Sequence, residues 1–236
     1  KIQLAIDTFN KHVDVASLDE KIVTYESEGM TPHMFQYQLG KWAKRTVKNI
    51  VLPEGDDDRV LKAAARLVTQ EIVTLTILGD PAAINASAKR LGINLDFEKV
   101  KVIDPANSEY YDDYVETLYQ LRKDKNVTLE MARDLMTDVS YFGTMMVYKG
   151  HADGMVSGAT HTTQHTIRPA LQFVKTKPGI STVSSVFFMC LEDRVSVFGD
   201  CAVNPNPTAE QLAEIAISSA GTSQRVGIEQ DEIAAA

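Results

Sequence analysis

Two hydrophobic periods alternate along this chain. Ile50-Val51-Leu52, Ile72 to Leu78 and Val100 to Ile103 are short apolar runs closed by proline, glycine or a polar turn, the pattern of buried strands. Between them apolar residues recur every three or four positions, in Arg59 to Leu67 and from Asp80-Pro81 to Leu91, which predicts helices. Thr31-Pro32 opens an earlier helix that aligns Phe35, Leu39 and Trp42 on one face for packing on a core. Tyr110 to Lys125 and Thr128 to Lys149 predict two successive helices. The second carries Met131, Leu135, Val139, Phe142, Met145 and Met146 on one side, where methionine serves as core filler. A short strand at Gly154 to Ser157 follows, then a Gly/Thr-rich turn and a helix containing Thr166-Ile-Arg-Pro169. Strands at Thr182 to Met189 and Val195 to Phe198 precede a capped amphipathic helix from Pro207 to Ser218. Strand and helix in alternation predict an α/β fold with a mostly parallel sheet.

The long helices give way to the second strand series near residue 150, which sets the expected division. Residues 1–30 read as the tail of an upstream region, 31–150 as a first α/β domain and 151–236 as the start of a second. The chain opens at Lys1 without methionine and closes on Ile233-Ala-Ala-Ala236, so it reads as a piece of a longer polypeptide.

Composition narrows the function classes. With 44% hydrophobic and 24% charged residues, the chain has the make-up of an ordinary soluble globular protein. Thirty-two acidic against 24 basic side chains give a net charge of −8, the wrong field for a protein that wraps nucleic acid. No apolar run approaches the roughly 18 residues needed to cross a bilayer. Two cysteines, Cys190 and Cys201, are too few for a disulfide framework or zinc site and fit a reducing, cytoplasmic compartment.

Polar residues gather at three strand-to-loop points, 53–59, 157–168 and 199–208, where α/β folds bind ligands. In Ser157-Gly158-Ala159-Thr160-His161-Thr162-Thr163-Gln164-His165-Thr166-Ile167-Arg168, small residues admit a ligand and hydroxyls and amides supply anion donors. Arg168, a turn or two further on, suits phosphate through its two-pronged geometry; a capped helix with a surface arginine is the alternative. His161 and His165 are four apart, but no carboxylate or cysteine is spaced to complete a metal set. Ser157-Gly158 lacks a GxSxG elbow. Asp56-Asp57-Asp58 reads as a partner for a helix dipole, with magnesium binding as the weaker alternative. Gly199 to Pro205 has the shape of a tight strand-end loop in which Asp200 is either structural or functional.

Several segments together carry a resemblance: Val51-Leu-Pro-Glu-Gly55, Leu121-Arg-Lys-Asp-Lys125, Asp153-Gly-Met-Val-Ser-Gly-Ala159, His161 to Pro169, Ser184-Ser-Val-Phe-Phe188 and Gly199-Asp-Cys-Ala-Val-Asn-Pro205. In order and spacing, from about residue 31 to 229, they resemble the phosphate acetyltransferases of the phosphate acetyl/butyryltransferase family. Residues 1–30 resemble the end of the extra N-terminal region of its long bacterial forms. The resemblance implies a three-layer α/β/α fold in two subdomains flanking a cleft, and a homo-oligomer. It implies reversible acetyl transfer between acetyl phosphate and coenzyme A, both substrates, with no metal or redox cofactor. Arg122 and Arg168 match the family's arginines and would hold the phosphate, with Ser157, Gly158, Thr162 and Thr163 supplying further donors. The family's catalytic base lies in a Ser-Arg and aspartate segment expected beyond Ala236, so this chain alone is expected to be catalytically impaired. Two other readings stay open: phosphate butyryltransferase, and a non-catalytic module of the same fold that senses coenzyme A or promotes oligomerisation.

Overall fold

A computed structural model describes residues 2–14, 17, 30–228 and 233–235. Of the expected N-terminal tail, Ile2–His12 form helix α1; residues 15, 16 and 18–29 fall outside the described residues. Helix α2 spans Pro32–Ala43. The chain divides into two compact units, residues 38–183 and residues 1–37 together with 184–236.

In the unit of residues 38–183 the elements follow the predicted alternation: β1 (Lys48–Leu52), α3 (Asp58–Gln70), β2 (Val73–Leu78), α4 (Pro81–Leu91), β3 (Val100–Ile103), α5 (Tyr111–Arg122), α6 (Leu129–Thr137), α7 (Val139–Tyr148), β4 (Gly154–Met155) and α8 (Thr163–Pro169). Local chemistry fixes the helix starts. Asp57 accepts the amides of Arg59 and Val60 ahead of α3, and Asp80 accepts that of Ala82 ahead of α4, whose first residue is Pro81; each cap satisfies amides that have no partner inside the helix. The four strands lie in the order β3-β2-β1-β4, all parallel.

Alternation along each strand sends successive side chains to opposite faces, and each face has its own core. Val51, Leu78 and Ile103 pack with Tyr114, Leu118, Met136, Phe142 and Met145. Leu52, Leu75, Ile77 and Val100 pack with Leu61, Ala64, Ile84 and Ala88. Helices α3 and α4 therefore cover one face and α5 to α7 the other, which gives three layers. Complete burial of Leu61 or Leu118 contributes about 1.5–3 kcal/mol each.

Several expectations are corrected. The helix predicted over Thr128 to Lys149 is two helices, broken at Asp138, whose backbone is extended and whose carboxylate caps α7. Met131, expected on the buried side, is exposed. The division expected near 150 falls at 183/184, because β4 pairs with β1 and so joins the first sheet.

The other unit holds β5 (Val186–Cys190), β6 (Val195–Gly199), α9 (Ala209–Arg225) and β7 (Ile233–Ala235). Strands β5 and β6 pair antiparallel and β6 and β7 parallel. The four residues between β5 and β6 allow only the antiparallel arrangement, since a parallel return needs a long crossover. Phe35 of α2, Val195, Val197 and Ile228 form the core here, with the Phe35 and Phe188 rings 5.3 Å apart. Leu39, predicted on the same buried face as Phe35, is exposed.

Candidate active site

In the order β3-β2-β1-β4, the chain runs outward from β1 through β2 to β3, and β4 returns on the other side. The carboxyl ends of β1 and β4 are thus the switch point where open α/β sheets bind ligands. Two loops meet there, Pro53 to Asp57 after β1 and Val156 to Thr162 after β4.

Glu54 joins them. It is only 2% exposed, and its carboxylate accepts the backbone amides of Gly158 (3.0 Å), Ala159 (2.8 Å), Thr160 (2.7 Å) and His161 (2.8 Å). The Thr160 hydroxyl and His161 Nδ1 donate to it as well, at 3.1 and 2.9 Å. Burial acts to raise this carboxyl, but the amides of Thr160, Ala159 and His161 and the His161 ring outweigh it, and the group is held far below the ordinary carboxylate range. A second tie comes from Arg59, which pairs with Asp57 and donates to the Ala159 carbonyl at 2.6 Å. Four consecutive amides on one carboxylate leave the 158–161 turn a single shape.

Helix α8 follows that turn. Thr162 caps it by accepting the His165 amide, and Thr166 donates to the Ser157 hydroxyl at 3.4 Å. Pro169 lacks an amide proton, and the chain widens into a π-helical turn over Ala170–Val174 that ends at Lys175 with φ 65°. Two side chains tie α8 and this turn to the start of α7. His165 Nε2 donates to Asp138 Oδ2 at 2.9 Å, and the Tyr141 hydroxyl donates to Gln172 Oε1 at 3.2 Å. The rings of His161 and His165 stack with centroids 4.9 Å apart.

Both predicted arginines come to this place. Arg122, the last residue of α5, is partly buried and donates from Nη1 to the Gln172 carbonyl at 3.3 Å. That carbonyl belongs to a helix end, where it would otherwise lack a partner. Among the described residues, Arg122 Nε is buried with no hydrogen-bond partner and no carboxylate pairs with this guanidinium. Arg168 on α8 is exposed and makes no hydrogen bond or ion pair among the described residues. Burial pushes the Tyr141 hydroxyl up, the charges of Arg168 and Arg122 and the bond to Gln172 work against it, and Asp138 adds to it. Both guanidiniums are therefore within electrostatic reach of one hydroxyl.

In the other unit, the Gly199 to Asn204 loop is organised by Asp200. Its carboxylate accepts from the Ser185 amide and hydroxyl, the Asn204 amide and side chain, and the Ala202 amide. Burial opposes ionisation there, but these donors hold the group far below its usual range. Asp200 is thus the hub of its loop.

The predicted residues divide by role. Arg122, Arg168, Ser157 and Thr163 are placed with donors not committed to the helix start or to Glu54. The Gly158 amide is engaged by Glu54, and the Thr162 hydroxyl is the α8 cap. His161 precedes the helix, so the two histidines are not one helical face. Asp57 caps α3 and Asp58 pairs with Arg90 at 2.6 Å, in keeping with a helix-start role. Sequence reasoning missed Glu54, Asp138, Tyr141 and Gln172. The one usable signal was Thr137-Asp138 ahead of Val139-Ser140, a capping residue type inside an otherwise apolar helical pattern.

Residues 34–235 match the family model described as Phosphate acetyl/butaryl transferase. The chain is 57% identical over 229 residues to a phosphate acetyltransferase of Synechocystis sp., covering 97% of this chain and 33% of that protein. It is 52% identical to one of Nitratidesulfovibrio vulgaris, covering 97% and 32%. It thus spans about a third of the length of these curated relatives. Among solved structures, a phosphotransacetylase from Streptococcus pyogenes superposes with a TM-score of 0.79 at 42% identity, covering 84% of this chain and 60% of that one. The EutD phosphotransacetylase from Staphylococcus aureus gives 0.75 at 44% identity, covering 82% and 58%.

Proposed function

The chain belongs to the phosphate acetyl/butaryl transferase family, and from that premise we propose that it carries the phosphate-binding half of a reversible acetyl transfer between acetyl phosphate and coenzyme A. The observation that carries this reading is Arg122: among the described residues its partly buried guanidinium has no carboxylate partner and its buried Nε donates to nothing. Removing a charge from water without a counter-charge is costly, and an anion beside Arg122 offsets that cost. Arg168 adds a second cation whose donors are all uncommitted among the described residues, and the hydroxyls of Ser157 and Thr163 border the same turn.

In the proposed reaction, the thiol sulfur adds to the acetyl carbonyl carbon, and the thiol proton ends on the phosphate that departs. The bond from that carbon to the phosphate oxygen then breaks, and its electron pair goes to phosphate. Negative charge grows on the phosphate oxygens as the bond lengthens, so the arginines stabilise the transition state more than the bound substrate. Glu54 keeps the turn beside them in one shape, so little reorganisation is needed as charge develops. Acyl transfer changes no oxidation state, so we assign it no redox cofactor. A cytoplasmic setting is supported by Cys190 and Cys201, both free thiols; a homo-oligomer and a role in acetate metabolism rest on the family resemblance.

The test is acetyl exchange between acetyl phosphate and coenzyme A in the full-length protein. Arg122→Ala and Arg168→Ala are each expected to lower kcat/KM roughly 10²-fold or more. Faster turnover of butyryl phosphate would reassign the acyl group. If both variants match an active wild type, the arginines do not serve the reacting phosphate, and if the wild-type protein shows no exchange, a non-catalytic coenzyme A-sensing module becomes the better reading.

A further inference from the structure

Gln172 makes two bonds in different directions. Its backbone carbonyl accepts Arg122 Nη1 at 3.3 Å, and its side-chain oxygen accepts the Tyr141 hydroxyl at 3.2 Å. The first is the only hydrogen bond that the Arg122 side chain makes among the described residues. The second anchors the turn that presents the carbonyl. That turn needs an anchor, because it is the widened π-helical stretch that follows Pro169, where the regular helical ladder does not fix carbonyl direction. Tyr141 is well suited to anchor it. The residue is 5% exposed and belongs to the core cluster of α5 to α7, with its ring 6.5 Å from that of Phe173. Its backbone amide is held by Asp138 at 3.1 Å. The chain of contact therefore runs from the rigid start of α7, through one hydroxyl and one glutamine, to the guanidinium.

We propose that Tyr141 and Gln172 are positioning residues for Arg122: the Tyr141 hydroxyl fixes the Gln172 turn, and the Gln172 carbonyl sets where the Arg122 guanidinium meets phosphate. The inference rests on the reading of Arg122 as a phosphate-binding group. Tyr141 does not contact phosphate in this scheme. Its effect passes wholly through Arg122, and that distinguishes it from a third donor in the site.

The experiment measures the dissociation constant of inorganic phosphate by titration calorimetry, together with acetyl-exchange kinetics, in the full-length protein. Tyr141→Phe keeps the buried ring and removes one hydroxyl; Gln172→Met keeps the backbone carbonyl and removes the side-chain acceptor. Each is expected to weaken phosphate binding about three- to tenfold, the usual worth of one neutral hydrogen bond. The KM for acetyl phosphate should rise in step while the KM for coenzyme A stays at the wild-type value. Because both variants break the same bond, the double variant should be no weaker than the weaker single one. In an Arg122→Ala background, adding Tyr141→Phe should change nothing further. Wild-type phosphate affinity in both single variants overturns the proposal, and so does a Tyr141→Phe loss that persists undiminished without Arg122. A wild-type protein that shows no acetyl exchange, yet binds phosphate and loses affinity with Tyr141→Phe, removes the proposed reaction and leaves this positioning role in place.

Discussion

Glu54 is a buried carboxylate that remains charged because every direction around it offers a donor. In Glu54→Gln the side-chain NH₂ faces backbone N–H groups that need an acceptor, so we expect a loss of about 3 kcal/mol, read as a lower Tm. Its pH dependence follows from the depressed carboxyl. The stabilisation is complete above the unfolded-chain value of about 4.3 and is lost as pH falls through the lower folded value. Wild-type stability should therefore decline below about pH 5, and Glu54→Gln should show a shallower decline, with Asp200 supplying part of the remaining slope. Denaturant melts between pH 3 and 7 check both. Little of this was legible beforehand. Pro53-Glu54-Gly55 reads as a strand-closing loop, but nothing local reveals that the partners of Glu54 lie 104 to 107 positions away. Arg168 was legible as a phosphate candidate from its place after the Gly/Thr-rich turn, whereas Arg122 was legible only through the family resemblance, since its partner Gln172 lies 50 positions away.

At the scale of the element, the break at Asp138 was hidden by the packing itself. Helices α6 and α7 cover the same sheet face, so Leu135, Val139, Phe142 and Met146 keep a helical spacing across the break. Asp138 serves both the α7 cap and His165. Asp138→Ala should cost about 1–2 kcal/mol of stability from the cap alone, measured by chemical denaturation. The turn after β1 imposes a tighter constraint. A Cβ on Gly55 would meet the Leu78 carbonyl, and it would lie 2.6 Å from Ile77 Cγ2 and 2.9 Å from Ile84 Cδ1. Gly55→Ala should destabilise by about 1–3 kcal/mol through overpacking, with a matching drop in Tm. The strands and helices around these points were readable because the strands are short apolar runs closed by turn residues and the helices repeat their apolar positions near every 3.6 residues.

For the molecule as a whole, the strand and helix alternation that predicts a parallel sheet is what brings 53–59 and 157–168 together at one sheet edge. The boundary at 183/184 was not readable, because β4 has only two residues and its membership of the first sheet depends on pairing with a strand a hundred positions earlier. The same long span bears on the turn after β4. Amides in loops usually exchange with solvent almost freely. Those of Gly158 to His161 should instead exchange as slowly as the neighbouring strands, and deuterium-exchange NMR or mass spectrometry would detect this; rapid exchange there would mean that the Glu54 contacts do not persist in solution. A peptide spanning 154–174 contains all four amides but not the carboxylate they share, so it has no means of keeping the turn. The loop's shape is thus inherited from elsewhere in the chain: the site cannot exist in advance of the sheet, and it disappears with the sheet when β1 and β4 part.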